Sequence, residues 1–359
     1  MQSKNIIGVA AAAVPPAIAL ACYYAIYRDQ ALARRAVDTF SAPARELLGR
    51  ASAHVSFSVM EWLYVLLAAA VVIYIVTTVL AIVKSDRKAA ALFRRVLILA
   101  VAVLYLLGGY LWLWGIDYRT PSFAARTGLD DGPVATEELY TVTAYFIRNA
   151  LVLANAVDRD ADGRFVMLPD EYLPRAPAIY GALQEEFPVL AGTCRVPKQM
   201  LFSRVMSRMG FTGIFFPFTG ESNLNVDCPG AFIPATAAHE LAHQLGVTSE
   251  QECNFLGIAA CLSSEDAVYV YSGFLMGSTY LMNALYDADR DLWQALRDTI
   301  RGPMLVDWND NNKYWWRFES PVTEVSAAVY DTYLKANGQD LGMRSYGACV
   351  DLLVHYYYR

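Results

Sequence analysis

The stretch WLYVLLAAAVVIYIVTTVLAIV, from Trp62 to Val83, contains no charged side chain and is bounded by Glu61 and Lys84. An α-helix of about 20 apolar residues is long enough to cross the roughly 30 Å hydrocarbon core of a bilayer. Charged residues at both ends of such a segment are typical of a transmembrane helix. The stretch therefore predicts that the chain is an integral membrane protein.

Two further stretches, 6–27 and 96–116, are also free of charged side chains. We therefore predict three spans within a transmembrane region of residues 1–116. The first stretch has an alternative interpretation as a cleaved signal peptide. It is longer than a typical apolar signal core and carries Pro15 and Pro16 in its middle, which favours an uncleaved anchor. The composition agrees, because 56% of all residues are hydrophobic and the mean hydropathy is +0.28.

The distribution of basic residues predicts the orientation of the spans. The loop 84–95 packs five Lys and Arg residues into twelve positions, whereas the loop 28–61 spreads five arginines among four acidic residues. Short loops rich in Lys and Arg face the cytoplasm. We therefore predict a plasma-membrane or inner-membrane protein with everything after Ile116 on the extracytoplasmic side. The inverted topology remains an alternative, since the counts of basic residues on the two sides are close.

The rest of the chain is a short polar linker, 117–132, and a segment, 133–359, that is long enough for one domain. Its net charge gives no sign of a nucleic-acid partner, because the whole chain carries −6 and no clustered basic face. Apolar residues recur at helical spacing in seven segments: 133–157, 174–186, 235–245, 249–262, 266–288, 323–335 and 346–357. We predict a mostly α fold, with three transmembrane helices followed by a helical domain.

One hairpin interrupts the predicted helices. Residues 213–218 and 221–226 alternate as strands do, and Thr219 and Gly220 form the turn between them. Pro217 favours an edge position, because proline has no backbone N–H to donate to a neighbouring strand. The domain is therefore predicted to contain a small β-hairpin with an edge strand.

The segment TAAHELAHQL, from Thr236 to Leu245, contains the pattern H-E-x-x-H. Residues four apart share one face of a helix, so His239 and His243 can converge on one Zn²⁺ ion. Glu240 then lies beside them as a general base. The alternative is a helix whose histidines are packed without metal. It is disfavoured, because two imidazoles and a carboxylate are costly to bury in an apolar helix without compensation.

A third metal ligand is expected from the next helix, which begins near Ser249. Catalytic zinc usually has three protein ligands and a water. Glu250 is our choice, and Asn254, one turn further on, would orient a ligand. Glu252 is the alternative, although Ser249 and Glu252 also have the spacing of a capping box, which would use that carboxylate at the helix N-terminus.

These residues resemble known families. Glu250 to Asn254 is similar to the E-x-x-A-D element that follows H-E-x-x-H in membrane-embedded gluzincin peptidases, such as the CAAX-prenyl-protease, HtpX and BlaR types. This chain has Asn254 in place of the aspartate, and only six residues separate His243 from Glu250, where those families have a longer insertion.

A closer resemblance covers nearly the whole chain. It is to an uncharacterised family of three-pass membrane proteins with a zincin-like outer domain. Four elements carry it: P-F-T-G-E-x-N-x-N at 217–225, H-E-x-A-H-Q-x-G at 239–246, E-x-E-x-N-F at 250–255 and S-Y-G-x-x-V-D-L-L at 345–353. The resemblance implies a gluzincin-type zinc domain behind three spans, and it leaves the substrate open.

Other patterns are less specific. Asp158, Asp160 and Asp162 resemble the first half of a Ca²⁺ loop, but Pro169 stands where the bidentate Glu is expected, so an Asp/Gly turn is favoured. Candidate donors to a developing oxyanion are Tyr269, Tyr271, Tyr346 and His355, and no spacing selects among them. The six cysteines form no CxxC pair, and buried free thiols are favoured over disulfides.

The sequence thus predicts a zinc metallopeptidase anchored in a lipid bilayer, with Glu240 as catalytic base and His239, His243 and Glu250 as ligands of Zn²⁺. Its substrate would be a peptide or protein, for which the edge strand offers main-chain hydrogen bonds. Two alternatives remain open: a zinc-binding sensor or assembly protein that cleaves nothing in trans, and a zinc hydrolase of a non-peptide amide or ester.

Overall fold

The computed structural model describes residues 2–342 and 349–358. It is mostly α-helical with one small sheet, which confirms the predicted fold class. The helices are α1 Gln2–Ala12, α2 Val14–Ile26, α3 Gln30–Ala36, α4 Ala42–Ser52, α5 Val59–Val83, α6 Lys88–Tyr110, α7 Phe123–Thr127, α8 Thr136–Leu153, α9 Pro169–Tyr172, α10 Gly181–Glu186, α11 Ser203–Met209, α12 Ile233–Gln244, α13 Glu250–Leu262, α14 Ala267–Ala288, α15 Arg290–Arg297, α16 Gly302–Trp316, α17 Pro321–Ala336 and α18 Cys349–Tyr357. The strands are β1 Lys198–Gln199, β2 Gly213–Phe216 and β3 Glu221–Leu224.

The chain is organised as two units. The membrane unit comprises residues 1–52, 59–120 and 217–219, and the C-terminal unit comprises 53–58, 121–216 and 220–359. Three helical stretches in the membrane unit are long and apolar enough to cross a bilayer: Ile7–Ile26, Val59–Val83 and Lys88–Gly115. They confirm the three predicted spans. The bounds agree to within three residues, except that the third stretch begins eight residues earlier than predicted.

The 28–61 connection is more ordered than the sequence indicated. It forms α3 and α4, joined by a π-helical segment, Val37–Ser41. The Arg45 side chain on α4 is 5% exposed and forms a 2.7 Å ion pair with Asp117, and its guanidinium also donates to the Leu113 carbonyl. A buried charge must be paired, so this ion pair holds α4 against the end of the third span.

The sheet in the C-terminal unit has the strand order β1-β3-β2. β2 and β3 form the predicted hairpin, with Ile214 opposite Asn223 and Phe216 opposite Glu221. Both strands are two residues shorter than predicted, and Pro217 lies in the turn, where no strand partner needs its missing N–H. β2 is an edge strand of this sheet. The two-residue β1, parallel to β3, is too short to show alternation and was not predicted.

The seven helical predictions of the C-terminal unit mark real elements, with altered ends. Residues 174–186 differ from the prediction in the type of helix. They form a 3₁₀ segment, Leu173–Tyr180, followed by α10, because Pro174 and Pro177 cannot donate the hydrogen bonds of a regular α-helix. The last prediction, 346–357, corresponds to α18, and its first three residues lie outside the described residues. Helices α7, α9, α11, α15 and α16 were not predicted.

The core of the C-terminal unit is built around α12, α13 and α14. Every residue of α12 from Ile233 to His243 is buried. Gly257 allows α13 to approach α12 closely, since a Cβ there would lie 2.7 Å from the His239 backbone nitrogen. The Tyr180 hydroxyl donates to the Ala238 carbonyl at 2.7 Å and holds the middle of α12 from another side. The helix that carries the H-E-x-x-H pattern is therefore fixed within the core.

Candidate metal centre

Helix α12 brings the two histidines together. Pro234 lies in its first turn, where a missing N–H is tolerated, and Gly246 ends it with a left-handed φ of 87°. His239 and His243 lie on one face, as their four-residue spacing requires, with ring centroids 4.9 Å apart. Both side chains are buried, each only 7% exposed.

The tight turn after Gly246 reverses the chain so that α13 begins opposite the histidines. Glu250 is the first residue of α13. Its Oε2 lies 3.2 Å from Nε2 of His239, and its Oε1 lies 3.8 Å from Nε2 of His243. One potential ligand atom from each of the three side chains lies within 4.8 Å of the other two. The structure therefore brings together the three residues that the sequence proposed as ligands.

Both imidazoles are oriented by contacts on their far side. Nδ1 of His239 lies 2.7 Å from Oδ1 of Asn254, and Nδ1 of His243 lies 2.8 Å from the Val247 carbonyl oxygen. A carbonyl oxygen only accepts, so Nδ1 of His243 donates to it, and Nε2 is the nitrogen that faces Glu250. Metal-binding histidines in proteins are held in this way. The Tyr330 hydroxyl on α17 donates to Oε1 of Glu250 at 2.8 Å and positions that carboxylate.

The donor set fits a zinc ion. Two imidazole nitrogens and one carboxylate oxygen are typical zinc ligands, and ligand atoms about 2.1 Å from a tetrahedral ion lie roughly 3.4 Å apart. Oε2 of Glu250 is buried and lies 3.2 Å from Nε2 of His239 without a hydrogen bond of good geometry, so this oxygen is placed where a cation could bind it. Burial raises the pKa of Glu250, but its contacts with His239 and His243 outweigh this effect and hold the pKa well below its usual range. The carboxylate is therefore ionised and available as a ligand.

Glu240 lies beside the cluster without joining it. Its side chain is 4% exposed, and its Oε2 has no hydrogen-bond partner among the described residues. Burial raises the pKa of Glu240 to about 7, although the nearby histidines act in the opposite direction. Gly213, the first residue of β2, leaves room for this side chain, because a Cβ there would lie 2.5 Å from Oε1 of Glu240. A buried carboxyl with a pKa near neutrality is suited to proton transfer.

A cavity of about 330 Å³ opens onto these side chains. His239, Glu240 and Asn254 contribute to its wall, together with two tyrosines, Tyr280 and Tyr330, and three threonines, Thr212, Thr236 and Thr323. Apolar residues surround them: Met209, Phe211, Met276 and Ala327. Sequence reasoning missed both tyrosines, because they come from α14 and α17, far along the chain from the H-E-x-x-H pattern.

Glu252, the alternative third ligand, lies elsewhere. Its carboxylate accepts a hydrogen bond from the Ala124 backbone nitrogen at 2.9 Å, at the N-terminal end of α7. The predicted capping box is also absent, since the Ser249 side chain makes no capping hydrogen bond. Glu252 therefore secures α7 against α13, and its carboxylate is engaged outside the cluster.

The candidate oxyanion donors do not line the cavity where the structure describes them. The Tyr269 hydroxyl donates to the Tyr172 carbonyl, and the Tyr271 hydroxyl donates to Asp307. Nε2 of His355 lies 3.0 Å from the Gly132 carbonyl oxygen. Tyr346 lies outside the described residues. Three of the four candidates thus have other partners, and the tyrosines of the cavity wall are Tyr280 and Tyr330.

The Asp/Gly turn and the cysteines have local structural roles. Oδ1 of Asp160 accepts from the backbone nitrogens of Asp162 and Arg164, both at 2.9 Å, which closes the turn.

All six cysteines are free thiols, and four of them are buried: Cys228, Cys253, Cys261 and Cys349. The expectation of buried free thiols is therefore confirmed for these four.

The chain matches the family model described as protein of unknown function (DUF3810) over residues 38–354, and it belongs to that family. No curated protein and no solved structure matches it. The match covers the membrane unit from residue 38 onward and most of the C-terminal unit, in agreement with the resemblance to an uncharacterised family. The family's description carries no activity, so the function has to be inferred from the site.

Proposed function

For this member of the DUF3810 family, we propose the activity of a membrane-anchored zinc metallopeptidase. The observation that carries the proposal is the buried cluster of His239, His243 and Glu250, with Glu240 beside it at the end of a cavity. Four ionisable side chains in an otherwise apolar core are costly unless a bound cation compensates them. The histidine nitrogens, oriented by Asn254 and Val247, supply the geometry that a zinc ion needs.

In this proposal His239, His243 and Glu250 hold the metal. A zinc ion held there would act as a Lewis acid and lower the pKa of a water to about 7. Glu240 accepts the proton of the attacking water and passes it to the leaving amine. A carboxyl whose pKa is about 7 is half protonated near neutral pH, so Glu240 can take up and release that proton without a large energetic penalty.

The surroundings of the site favour a peptide as substrate. β2 is an edge strand of the sheet, and Gly213 at its start touches Glu240, so an extended peptide paired with β2 would reach the cluster. The tyrosines Tyr280 and Tyr330 line the same cavity, and burial holds the pKa of Tyr280 above its usual range. Its phenol is therefore neutral and suited to donate a hydrogen bond to a developing oxyanion.

The proposal includes a location. The charge distribution of the loops favours the extracytoplasmic side of a plasma or inner membrane for the C-terminal unit. The alternative function is a zinc-binding sensor or assembly protein that cleaves nothing in trans, and a hydrolase of a non-peptide amide or ester is the third. All three share the metal cluster. Hydrolysis separates the two enzymes from the sensor, and the kind of bond cleaved separates the enzymes from each other.

The test is proteolysis by purified full-length protein in detergent or nanodiscs, with a peptide library of mixed sequence read by mass spectrometry. We expect cleavage that a chelator abolishes and added zinc restores. Glu240→Gln should reduce cleavage at least about 100-fold while the zinc content is unchanged, because it removes the general base and leaves the ligands intact. The matched control is Glu185→Gln, an exposed glutamate on α10. Wild-type activity in Glu240→Gln would exclude the mechanism.

A further inference from the structure

One face of α17 is apolar although it is exposed. Val322, Val325 and Val329 are spaced by three and four residues, so they form a single stripe along the helix, and they are 59%, 63% and 65% exposed. A helix face in water is normally polar. The opposite face of α17 carries Ala327 and Tyr330, which line the cavity. The valine stripe is therefore not needed for packing within this unit.

The neighbouring helix α11 adds basic residues to this surface. Arg204, Val205, Arg208 and Met209 are all exposed, whereas Ser203, Met206 and Ser207 face the core. Neither Arg204 nor Arg208 forms an ion pair with any described residue, and the segment 201–209 contains no acidic residue. The Arg204 guanidinium lies over the Phe318 ring, 6.0 Å from its centre, in a contact that does not neutralise its charge.

The two helices that carry these side chains pack against each other. The Thr323 hydroxyl on α17 donates to the Arg208 carbonyl at 3.1 Å, which ties the start of α17 to the end of α11. We call this surface the valine–arginine face and define it by six residues: Arg204, Val205, Arg208, Val322, Val325 and Val329. Glu324 is an exposed acidic residue next to the valines, and the two arginines outnumber it.

We propose that the valine–arginine face docks onto the surface of a bilayer that contains acidic phospholipids. Apolar side chains interleaved with unpaired arginines are typical of protein segments that lie in the headgroup region. The valines would reach the boundary with the acyl chains, and Arg204 and Arg208 would pair with lipid phosphates. The three spans keep the C-terminal unit at a high effective concentration near the membrane, so even a weak surface of this kind is occupied. The docking does not depend on the proposed peptidase activity.

The test places an environment-sensitive fluorophore on the valine–arginine face of the full chain. Val329→Cys is labelled in a Cys22→Ala background, since Cys22 is the exposed native cysteine. Val152→Cys on α8 is the matched control, because Val152 is 69% exposed, close to the 65% of Val329, and lies outside this face. Both proteins are reconstituted into vesicles of phosphatidylcholine and phosphatidylserine, with and without lipids that carry an acyl-chain nitroxide.

We expect a blue-shifted emission at position 329 and quenching by the nitroxide lipid that is several-fold stronger than at position 152. Replacing both arginines, as Arg204→Glu with Arg208→Glu, should remove most of this difference. The same loss is expected in vesicles of phosphatidylcholine alone. Equal quenching at the two positions would overturn the proposal. A blue shift at position 329 without lipid quenching would overturn it too, because a protein partner or a second copy of the chain would then cover the face.

Discussion

At the residue scale, the orientation of His239 depends on a neutral amide. Asn254 presents Oδ1 at 2.7 Å from Nδ1 of the imidazole, on the side away from Glu250. This contact fixes the tautomer and points Nε2 towards the proposed metal. The membrane gluzincins that this sequence element resembles carry an aspartate at that position, so the amide is a departure whose effect can be measured.

We predict that Asn254→Ala lowers zinc affinity by about 10- to 100-fold, because the imidazole loses the contact that orients it. Asn254→Asp should retain the affinity or increase it, since a carboxylate accepts the same hydrogen bond more strongly. Competition with a fluorescent zinc chelator measures both. Equal affinities of the alanine variant and the wild type would show that Asn254 has no part in holding the ligand.

At the element scale, the cluster exists because α12 and α13 lie close together. Gly257 has no side chain where a Cβ would meet the His239 backbone at 2.7 Å. That closeness lets Glu250, from the start of α13, reach the histidines of α12. The packing of two helices is therefore part of the metal site.

Gly257→Ala should force α12 and α13 apart. We expect a loss of about 1–3 kcal/mol in the free energy of unfolding, as for other overpacked cores, together with weaker zinc binding. Gly181→Ala is the control, because a Cβ at that helical glycine meets no atom within 4 Å, and it should change stability by less than about 1 kcal/mol. Thermal unfolding with and without zinc measures the two effects. Equal melting temperatures of the two variants would contradict the close packing of α12 on α13.

The elements that the sequence predicted well share a strong local signal. The spans were found because no charged residue interrupts them, and α12 because two histidines four residues apart share a helix face. β1 was missed because it has only two residues, and α11 because seven residues are too few for a periodic pattern. Glu250 could be chosen because it lies one helical turn before Asn254. The role of Glu252 could not be predicted, because it depends on a hydrogen bond with Ala124, which is 128 positions away in the sequence.

Tyr280 and Tyr330 show where sequence reasoning ends. Their helices pack around the cavity from distant parts of the chain, and no spacing connects either residue with His239. No spacing supported the four oxyanion donors that the sequence suggested either, and three of them form hydrogen bonds with other residues in the structure. Tertiary packing, which a single sequence does not encode locally, decides which tyrosine lines a cavity.

At the scale of the whole molecule, we predict on which side of the membrane the C-terminal unit lies. Glu185 on α10 and Asp86 between α5 and α6 are both exposed. In a Cys22→Ala background, Glu185→Cys should react with a membrane-impermeant maleimide in intact cells, because we propose that the unit is extracytoplasmic. Asp86→Cys should react only after permeabilisation, since its basic loop is proposed to be cytoplasmic.

The background protein without an added cysteine is the control for labelling of the native thiols. The opposite pattern, with Asp86→Cys labelled in intact cells and Glu185→Cys protected, would establish the inverted topology. The proposed site would then act on cytoplasmic peptides, and its chemistry would be unchanged.

The most direct measurement is the metal content of the purified full-length protein, determined by mass spectrometry after expression without a histidine tag. We predict zinc at one ion per chain, its loss in His239→Ala, and its retention in His54→Ala, which removes an exposed histidine of the membrane-proximal segment. Wild-type protein that stays free of metal when zinc is supplied, or equal zinc in His239→Ala, would contradict the central claim that His239, His243 and Glu250 form a zinc site.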